Sequence, residues 1–300
     1  HRADSHINKE KKMNIQLLAS GISMGVVYGL IAMGMVLIFR SVGVMNFAQG
    51  EFLMFGGYFC YTFNQMLHIP IVPSLILASL LMGVVGVVFM RTSYWPLRSA
   101  QTKAIIVSAM GASIVLKEGA RLIWGAIPVS VDKVADGNIN LAGASIQWQY
   151  IAIICIAAVL MVLVYLLLEK TFIGNIMQAT AQDQYMSSLT GVPVIVSIGL
   201  TFGVSAMITG IGGGLLAPIF FLNNTMGATA GAKAFAAIVI GGFGSVPGAV
   251  LGGLIVGLVE AFGGAYISTT YQLVLIYVAL VLVLMVRPQG IFGEKIQEKA

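Results

Sequence analysis

Three polar side chains fall close together inside an otherwise apolar stretch. Asn46, Gln49 and Glu51 lie in the run of residues 44–52. A polar group without a partner in hydrocarbon costs several kcal/mol, so such groups either line a polar pathway or bond to neighbouring helices. On a helix, Asn46, Gln49 and Gly50 would share one face through i, i+3, i+4 spacing. The pattern has three interpretations: a break in a helix that lines a translocation path, a hydrogen-bonded clamp between helices, or a helix end at the water interface.

A second candidate stretch begins at Lys233 and contains a dense glycine cluster. Four glycines and one proline fall between Gly241 and Gly248, and a regular helix does not tolerate that composition. We therefore expect a turn between two half-helices. Lys233 and Glu260 flank this turn and could pair, reach toward Glu51 or extend to the interface. The candidate pathway residues in this stretch are Lys233, Gly242, Gly244 and Ser245.

Neither glycine-rich stretch fits a nucleotide site. Residues 227–234 have the wrong spacing for a P-loop, and Ala234 stands where a Ser or Thr would hold magnesium. The Gly242-Phe243-Gly244 run lacks the parallel-strand unit of a dinucleotide fold. Cys60 and Cys155 fall in apolar runs, away from any Cys/His cluster. We expect no catalytic residue, no metal site and no cofactor bound by this chain.

The composition places these groups in a membrane. The 300 residues are 58% hydrophobic and only 9% charged, whereas a soluble domain carries about a quarter charged residues. This composition excludes a soluble enzyme. It also excludes a nucleic-acid partner, because the net charge of +5 is spread over the ends of apolar segments, where basic residues mark the cytoplasmic face.

Eight apolar stretches are candidate membrane segments, since about 20 apolar residues cross a hydrocarbon core of about 30 Å. We predict an all-α, polytopic integral membrane protein in which residues 13–300 form a single transmembrane domain behind a polar leader at residues 1–12. The eight stretches are residues 14–39, 44–66, 70–90, 104–123, 148–168, 195–222, 232–262 and 271–286.

The basic residues predict the orientation of these segments. The loop with Arg91, Arg98 and Lys103 contains no acid and is expected inside, as are residues 170–194 and the C-terminal end with Arg287, Lys295 and Lys299. If the N-terminal lysines are also inside, each half of the chain starts and ends inside but contains three candidate segments. A chain that returns to the side on which it started must cross the membrane an even number of times. Broken or re-entrant segments at 40–66 and 231–262 would resolve the conflict. Such interruptions are buried in protein or line a cavity, and their presence in both halves points to a transport path.

A cytoplasmic segment at about 170–194 is a candidate coupling element. It is helix-competent up to Thr190, with Gly191 as a stop and Pro193 just beyond. Residues 174–193 contain no basic residue, which favours docking of a peripheral subunit over an amphipathic connector lying on the membrane surface. The residues singled out in this segment are Gly174, Ala179, Asp183, Leu189 and Gly191.

The order of several motifs resembles the permease subunit of branched-chain amino acid ABC importers, the LivH-type family. The resemblance covers about residues 21–293, and Gln178 departs from it, because the family usually has a basic residue there. The motifs are residues 25–30, 46–51, 96–98, 174–191, 233–253, 265–269 and 287–293.

The resemblance implies a permease domain in a heteromeric importer of the bacterial inner membrane. Its implied partners are a second homologous permease, two cytoplasmic ATP-binding subunits that use ATP, and an extracytoplasmic substrate-binding protein. Residues 174–191 would carry the closing motion of the ATPases to the spans. The broken segments near Asn46 and Gly244 would line a path for leucine-like cargo.

Three other functions remain open from the residues alone. A related importer permease for urea or a short amide would have a more polar path. An ion-coupled secondary carrier would need a charge relay at mid-membrane, for which Glu51, Lys233 and Glu260 are isolated candidates. An intramembrane enzyme would need a nucleophile and base or a metal cluster, and the sequence offers neither.

Overall fold

The computed structural model describes residues 2–141 and 144–293, and these are almost entirely helical. The prediction of an all-α, polytopic protein is confirmed. The exception is a short antiparallel hairpin, in which Asn138 pairs with Gln147. The elements are α1 Arg2–Val42, α2 Gln49–Tyr61, α3 Ile71–Phe89, α4 Thr102–Trp124, β1 Asn138–Leu141, β2 Ala144–Gln147, α5 Trp148–Lys170, α6 Phe172–Gln182, α7 Gln184–Leu189, α8 Val194–Leu216, α9 Met226–Gly241, α10 Val246–Tyr266 and α11 Gln272–Val286.

Within the described residues, six helices are long and apolar enough to cross a membrane. The shorter helices α2 and α9 fall in the two regions where the sequence predicts interruptions, and α4 carries four charged side chains. The six spans are Glu10–Val42, Ile71–Leu97, Trp148–Lys170, Val194–Leu216, Val246–Tyr266 and Thr269–Val286.

The first interruption separates α1 from α2. Helix α1 ends at Val42, and Gly43 follows in the left-handed region with φ +72°, which favours glycine. The chain then runs without regular helix to Gln49, whose side chain contacts Ser205 and Thr209. Because these two residues lie in the middle of α8, α2 begins deep within the bundle and not at its end.

The second interruption is a tight turn between α9 and α10. Gly242 and Gly244 adopt φ values of +111° and +80°, which residues with a side chain rarely adopt. The last carbonyls of α9, on Ile240 and Gly241, accept hydrogen bonds from the backbone N–H groups of Ile291 and Phe292. Since α10 has 21 residues and is itself long enough to cross, residues 232–262 contain two helices where the sequence predicted one broken segment.

We name one end of the bundle the cytoplasmic end, because it carries the basic loop that the positive-inside rule predicts to be inside. Ile38, Val42, Tyr94 and Ile105 line one small cavity, so the C-terminal end of α1 lies beside the loop with Arg91, Arg98 and Lys103. Gln184 also donates a hydrogen bond to the carbonyl of Ser41. The segment at 170–194 therefore lies at the same end as the basic loop.

The N-terminal end of α1 lies at the opposite, outer end. Gln16 donates to the carbonyl of Ser145 in the β-hairpin, and Asn14 contacts the Tyr266 hydroxyl at the end of α10. The N-terminal end of α1 and the basic loop are thus on opposite sides, so an odd number of segments between them raises no conflict. The extra helix at 232–262 removes the conflict from the second half. The side chains of the leader before Glu10, and the tail with Lys295 and Lys299, lie outside the described residues.

Glycines allow the helices of the core to pack closely. A Cβ on Gly25 or Gly253 would collide with the backbone of the opposing helix, so α1 and α10 meet backbone to backbone. Gly56 of α2 and Gly210 of α8 form a similar contact. Without a hydrophobic driving force between helices in lipid, such close packing is a main source of stability.

Candidate translocation site

Asn46 and Gln49 are joined by a turn that precedes α2. Asn46 lies outside the helix, so the predicted helical face for Asn46, Gln49 and Gly50 is wrong. Its Oδ1 accepts a hydrogen bond from the N–H of Ala48 at 3.1 Å, and its Nδ2 donates to Gln49 Oε1 at 3.2 Å. Both side chains are buried. The turn thus fixes the conformation of the chain just before α2 begins.

Gln49 connects three helices. Its Nε2 donates to Ser205 Oγ at 2.8 Å and to Thr209 Oγ1 at 2.7 Å, both on α8. Ser205 Oγ in turn donates to the carbonyl of Gly34 in α1 at 2.8 Å. The interhelical clamp is therefore the alternative that describes Gln49. The sequence reasoning missed Ser205 and Thr209, whose i, i+4 spacing on an apolar helix was the available signal.

Glu51 lies in the first turn of α2 and borders a cavity of about 400 Å³ between α1, α2, α4, α9 and α11. Its Oε1 accepts a hydrogen bond from Ser113 Oγ at 3.2 Å. Phe47, Met110 and Ile114 form the rim and are 41%, 51% and 64% exposed, so the cavity is open on the lateral face of the bundle. The lining residues are Met35, Met45, Asn46, Phe47, Glu51, Met110, Ser113, Ile114, Gly227, Ala228, Gly231, Ala232, Phe235 and Tyr277.

Helix α9 forms one wall of this lateral cavity. Gly50 contacts the backbone of Gly227 and Gly231 so closely that a Cβ on Gly50 would collide with α9. A Cβ on Gly227 would likewise collide with the Glu51 carboxylate. The small residues of α9 therefore let α2 approach and let the carboxylate lie against the wall of the cavity.

Lys233 lies on another face of α9 and is paired. Its Nζ is 2.5 Å from Glu260 Oε1 on α10 and 3.1 Å from the Tyr28 hydroxyl on α1. The side chains of Lys233 and Glu260 are only 16% and 9% exposed, so neither extends to the interface and Lys233 does not reach Glu51. Tyr28 and Lys233 also line an outer cavity of about 520 Å³, together with Asn223 and Thr229.

Gly242, Gly244 and Ser245 lie at the cytoplasmic end, apart from Asn46 and Glu51. The Arg40 side chain donates to the carbonyl of Gly244. Ser245 caps α10, because its Oγ accepts from the N–H of Gly248 at 3.1 Å. A third cavity of about 650 Å³ lies here, between the turn and residues 170–194, the predicted coupling segment. It is lined by Phe39, Arg40, Glu169, Gln178, Ala181, Gln182, Phe243, Gly244, Ser245 and Phe292.

The coupling segment folds as two short helices, α6 and α7, separated at Asp183. Asp183 Oδ1 accepts a hydrogen bond from the N–H of Met186 at 2.9 Å and caps α7. Gly191 ends the segment with φ +82°. On α6, Gly174 is buried against the carbonyls of Leu167 and Leu168, where a Cβ would collide.

The surface of the coupling segment is partly apolar. Met186 and Leu189 are 58% and 65% exposed, and Tyr185 is also exposed. Ala179 is half-buried. Gln178, at the position where the sequence departs from the family pattern, donates through Nε2 to the carbonyl of Leu168 at 2.6 Å. This contact ties α6 back to the end of α5.

The chain matches the family model described as "Branched-chain amino acid transport system / permease component" over residues 17–284. Among the side chains that the structure describes, in residues 10–140 and 144–293, no group of three or more His, Cys, Asp or Glu is arranged to hold a metal ion. No solved structure matches the chain.

Three relatives illustrate the similarity. The high-affinity branched-chain amino acid transport system permease proteins BraD of Pseudomonas aeruginosa and LivH of Escherichia coli K12 are each 32% identical to this chain, over 95% of it and 97% of the relative. A probable branched-chain amino acid transport permease protein LivH of Methanocaldococcus jannaschii is 24% identical over 88% of each chain. The chain therefore belongs to the permease family of branched-chain amino acid transport systems, as a multi-pass protein of the inner membrane.

Proposed function

We propose that this chain is the membrane-spanning subunit of an ATP-driven importer for branched-chain amino acids. It pairs with a second homologous permease, takes substrate from an extracytoplasmic binding protein and is driven by two cytoplasmic ATP-binding subunits. The chain itself binds no cofactor and catalyses no reaction. The lateral cavity beside the first interruption is the observation that carries the proposal, because an interrupted helix in a membrane is tolerated where it lines a cavity.

The shape and lining of the lateral cavity support this role. Its volume of about 400 Å³ falls within the usual range of roughly 300–1,000 Å³ for small-molecule sites. Its walls are mostly apolar, and the residues with polar side chains are Asn46, Glu51, Ser113 and Tyr277. A mostly apolar wall suits an aliphatic side chain. Because the cavity is open on the lateral face, a second permease on that face would complete its wall.

An aromatic chain joins the lateral cavity to the cytoplasmic end. The Phe47 and Phe235 rings are 6.1 Å apart, and the Phe235 and Phe243 rings are 6.5 Å apart. Phe243 borders the third cavity, which also contacts α6 through Gln178. A movement of the coupling segment would therefore reach the lateral cavity through packed side chains. ATP binding would favour one orientation by its differential affinity for the two states.

The decisive test is ATP-driven uptake by the complete complex. Proteoliposomes that contain both permeases and both ATPases are supplied with binding protein and labelled leucine. We expect uptake with ATP inside and none with a non-hydrolysable analogue. Uptake that follows an ion gradient without ATP would overturn the proposal in favour of a secondary carrier. Uptake of urea in place of leucine would overturn the proposed substrate.

Asn46→Leu is expected to lower uptake without weakening ATPase association. The substitution leaves the Ala48 N–H and Gln49 Oε1 without partners, at about 1–3 kcal/mol for each buried group, and distorts the entry to α2. The measurement is leucine uptake together with co-purification of the ATPase. Asn140→Leu, on the exposed β-hairpin, is the matched control. Uptake as in the unmodified protein would remove Asn46 from the proposed path.

Gly191→Val is expected to weaken ATPase association several-fold in a co-purification assay. A β-branched residue at φ +82° is strained by about 1–3 kcal/mol, which misaligns α7 and its exposed Met186 and Leu189. Gly191→Asn is the matched control, because asparagine tolerates the left-handed region. Equal association of both variants would show that the backbone of this turn does not position the docking surface. Asp183→Ala, which removes the cap of α7, is expected to act in the same direction.

A further inference from the structure

Only one of the two oxygens of the buried Glu51 carboxylate accepts a hydrogen bond from the described part of the chain. Glu51 is 2% exposed, and its Oε1 accepts the hydrogen bond from Ser113. Its Oε2 is buried and has no hydrogen-bond partner within the described residues. A buried polar group without a partner is costly and is rare in folded proteins. Because Glu51 lines the lateral cavity, a ligand bound there could supply the missing donor.

No Lys, Arg or His whose side chain the structure describes forms an ion pair with Glu51. Among the side chains of residues 10–140 and 144–293, the ion pairs join Lys233 to Glu260 and Arg121 to Glu118. Lys117 follows Ser113 by one helical turn on α4 but forms no ion pair with Glu51. The described residues that line the lateral cavity include no Lys, Arg or His. Glu51 is therefore the one carboxylate among the described residues that line this cavity.

The position of the carboxylate is fixed on three sides. Gly50 packs backbone to backbone on α9, which places the first turn of α2. Ser113 of α4 holds one carboxylate oxygen, and Gly227 leaves just enough room for the other. Since these contacts come from three helices, the carboxylate is held against the cavity wall by the fold. Preorganisation of this kind lowers the cost of binding.

We propose that Glu51 accepts the α-ammonium group of the amino acid substrate in the lateral cavity. This inference rests on the proposed function and assigns the recognition chemistry of its site. A primary ammonium would donate a charge-assisted hydrogen bond to Oε2, and the aliphatic body would lie against Met35, Phe47 and Phe235. Because no basic side chain lines the described wall, the substrate carboxylate points toward the open lateral side.

This arrangement predicts which half of the substrate is recognised. The ligand class is a small primary ammonium that carries an aliphatic body, so the neutral amides of the competing hypothesis lack the recognised charge. 3-Methylbutylamine is leucine without its carboxylate, and 4-methylpentanoate is leucine without its ammonium. We expect the amine to bind this cavity and the acid not to bind it. An account in which Glu51 is purely structural makes no such distinction.

The test measures binding to the purified complex of both permeases and both ATPases, with the substrate-binding protein left out. Ligand-induced thermal stabilisation is titrated with leucine, 3-methylbutylamine and 4-methylpentanoate. For the unmodified complex we expect stabilisation by leucine and the amine. Glu51→Gln should weaken both by about tenfold or more, the range for loss of a hydrogen bond to a charged group. Glu118→Gln, at an exposed site on α4, should leave both unchanged.

A second variant separates charge from fold. Glu51→Asp keeps the carboxylate and shortens it by one methylene, so amine binding should weaken less than in Glu51→Gln. Equal loss in both variants, or stabilisation of the unmodified complex by the acid alone, would overturn the assignment. Unchanged amine binding in Glu51→Gln would also overturn it. These failures are distinct from failure of the proposed function, which would appear as absence of ATP-driven leucine uptake by the unmodified complex.

Discussion

Lys233→Met will strongly destabilise the protein, because it leaves Glu260 buried without its cation. Breaking a buried ion pair from one side costs about 3–5 kcal/mol, and the 9% exposed Glu260 side chain has little access to water. Its Oε2 already has no hydrogen-bond partner among the described residues. We expect a large fall in the thermal midpoint of the purified protein and in the yield of monodisperse material.

A double variant identifies the cause of this loss. Lys233→Met combined with Glu260→Leu removes both charges and should restore most of the stability, since apolar replacement of a buried pair is often neutral or better. Arg121→Met is the matched control, because its pair with Glu118 is exposed and such pairs contribute little. If the double variant is as unstable as the single one, the ion pair is not the reason for the loss.

Gly253→Leu will separate α10 from α1. A Cβ at this position meets the backbone of Gly25 and Gly29, and backbone atoms cannot move aside as the end of a flexible side chain can. Overpacking commonly costs about 1–3 kcal/mol and occasionally more, and here the collision lies along the contact between two spans. We expect a lower thermal midpoint and loss of uptake.

Gly111→Leu on α4 is the control for this packing prediction. A Cβ at Gly111 meets no atom within 4 Å, so the same substitution adds volume without a collision inside the described chain. Its thermal midpoint should stay close to that of the unmodified protein. A Gly253→Leu protein that unfolds at the same temperature as the Gly111→Leu protein would contradict the close contact between α1 and α10.

The fold class followed from composition, and both interruptions followed from local residue types. Gly43 and the Gly242 to Ser245 turn occur in regions that the sequence marked as broken. The helix count in residues 232–262 did not follow, because a glycine cluster predicts a turn without showing whether each flanking helix crosses the membrane. The outer position of the N-terminal end also did not follow, because it depends on contacts of Asn14 and Gln16 with residues far along the chain.

The candidate site was predictable only in part. Asn46, Gln49 and Glu51 were identified because polar groups are costly in lipid, but their separate environments depend on partners on other helices. Ser205 makes Gln49 a clamp, whereas Ser113 leaves half of the Glu51 carboxylate at a cavity. The sequence also did not predict how deep each residue lies in the bundle. Gly244 lies at the cytoplasmic end beside Arg40, not next to Asn46. The spacing of residues along the sequence does not predict these contacts between different helices.

The bonds from Ile291 and Phe292 to the end of α9 have a consequence for biosynthesis. Helix α9 leaves the ribosome well before Ile291 and Phe292. The carbonyls of Ile240 and Gly241 therefore lack these hydrogen-bond donors while α10 and α11 are inserted. These hydrogen bonds can form only when the residues that follow α11 have been synthesised. A nascent chain that stops short of this point would present an open helix end to the quality-control proteases of the cell.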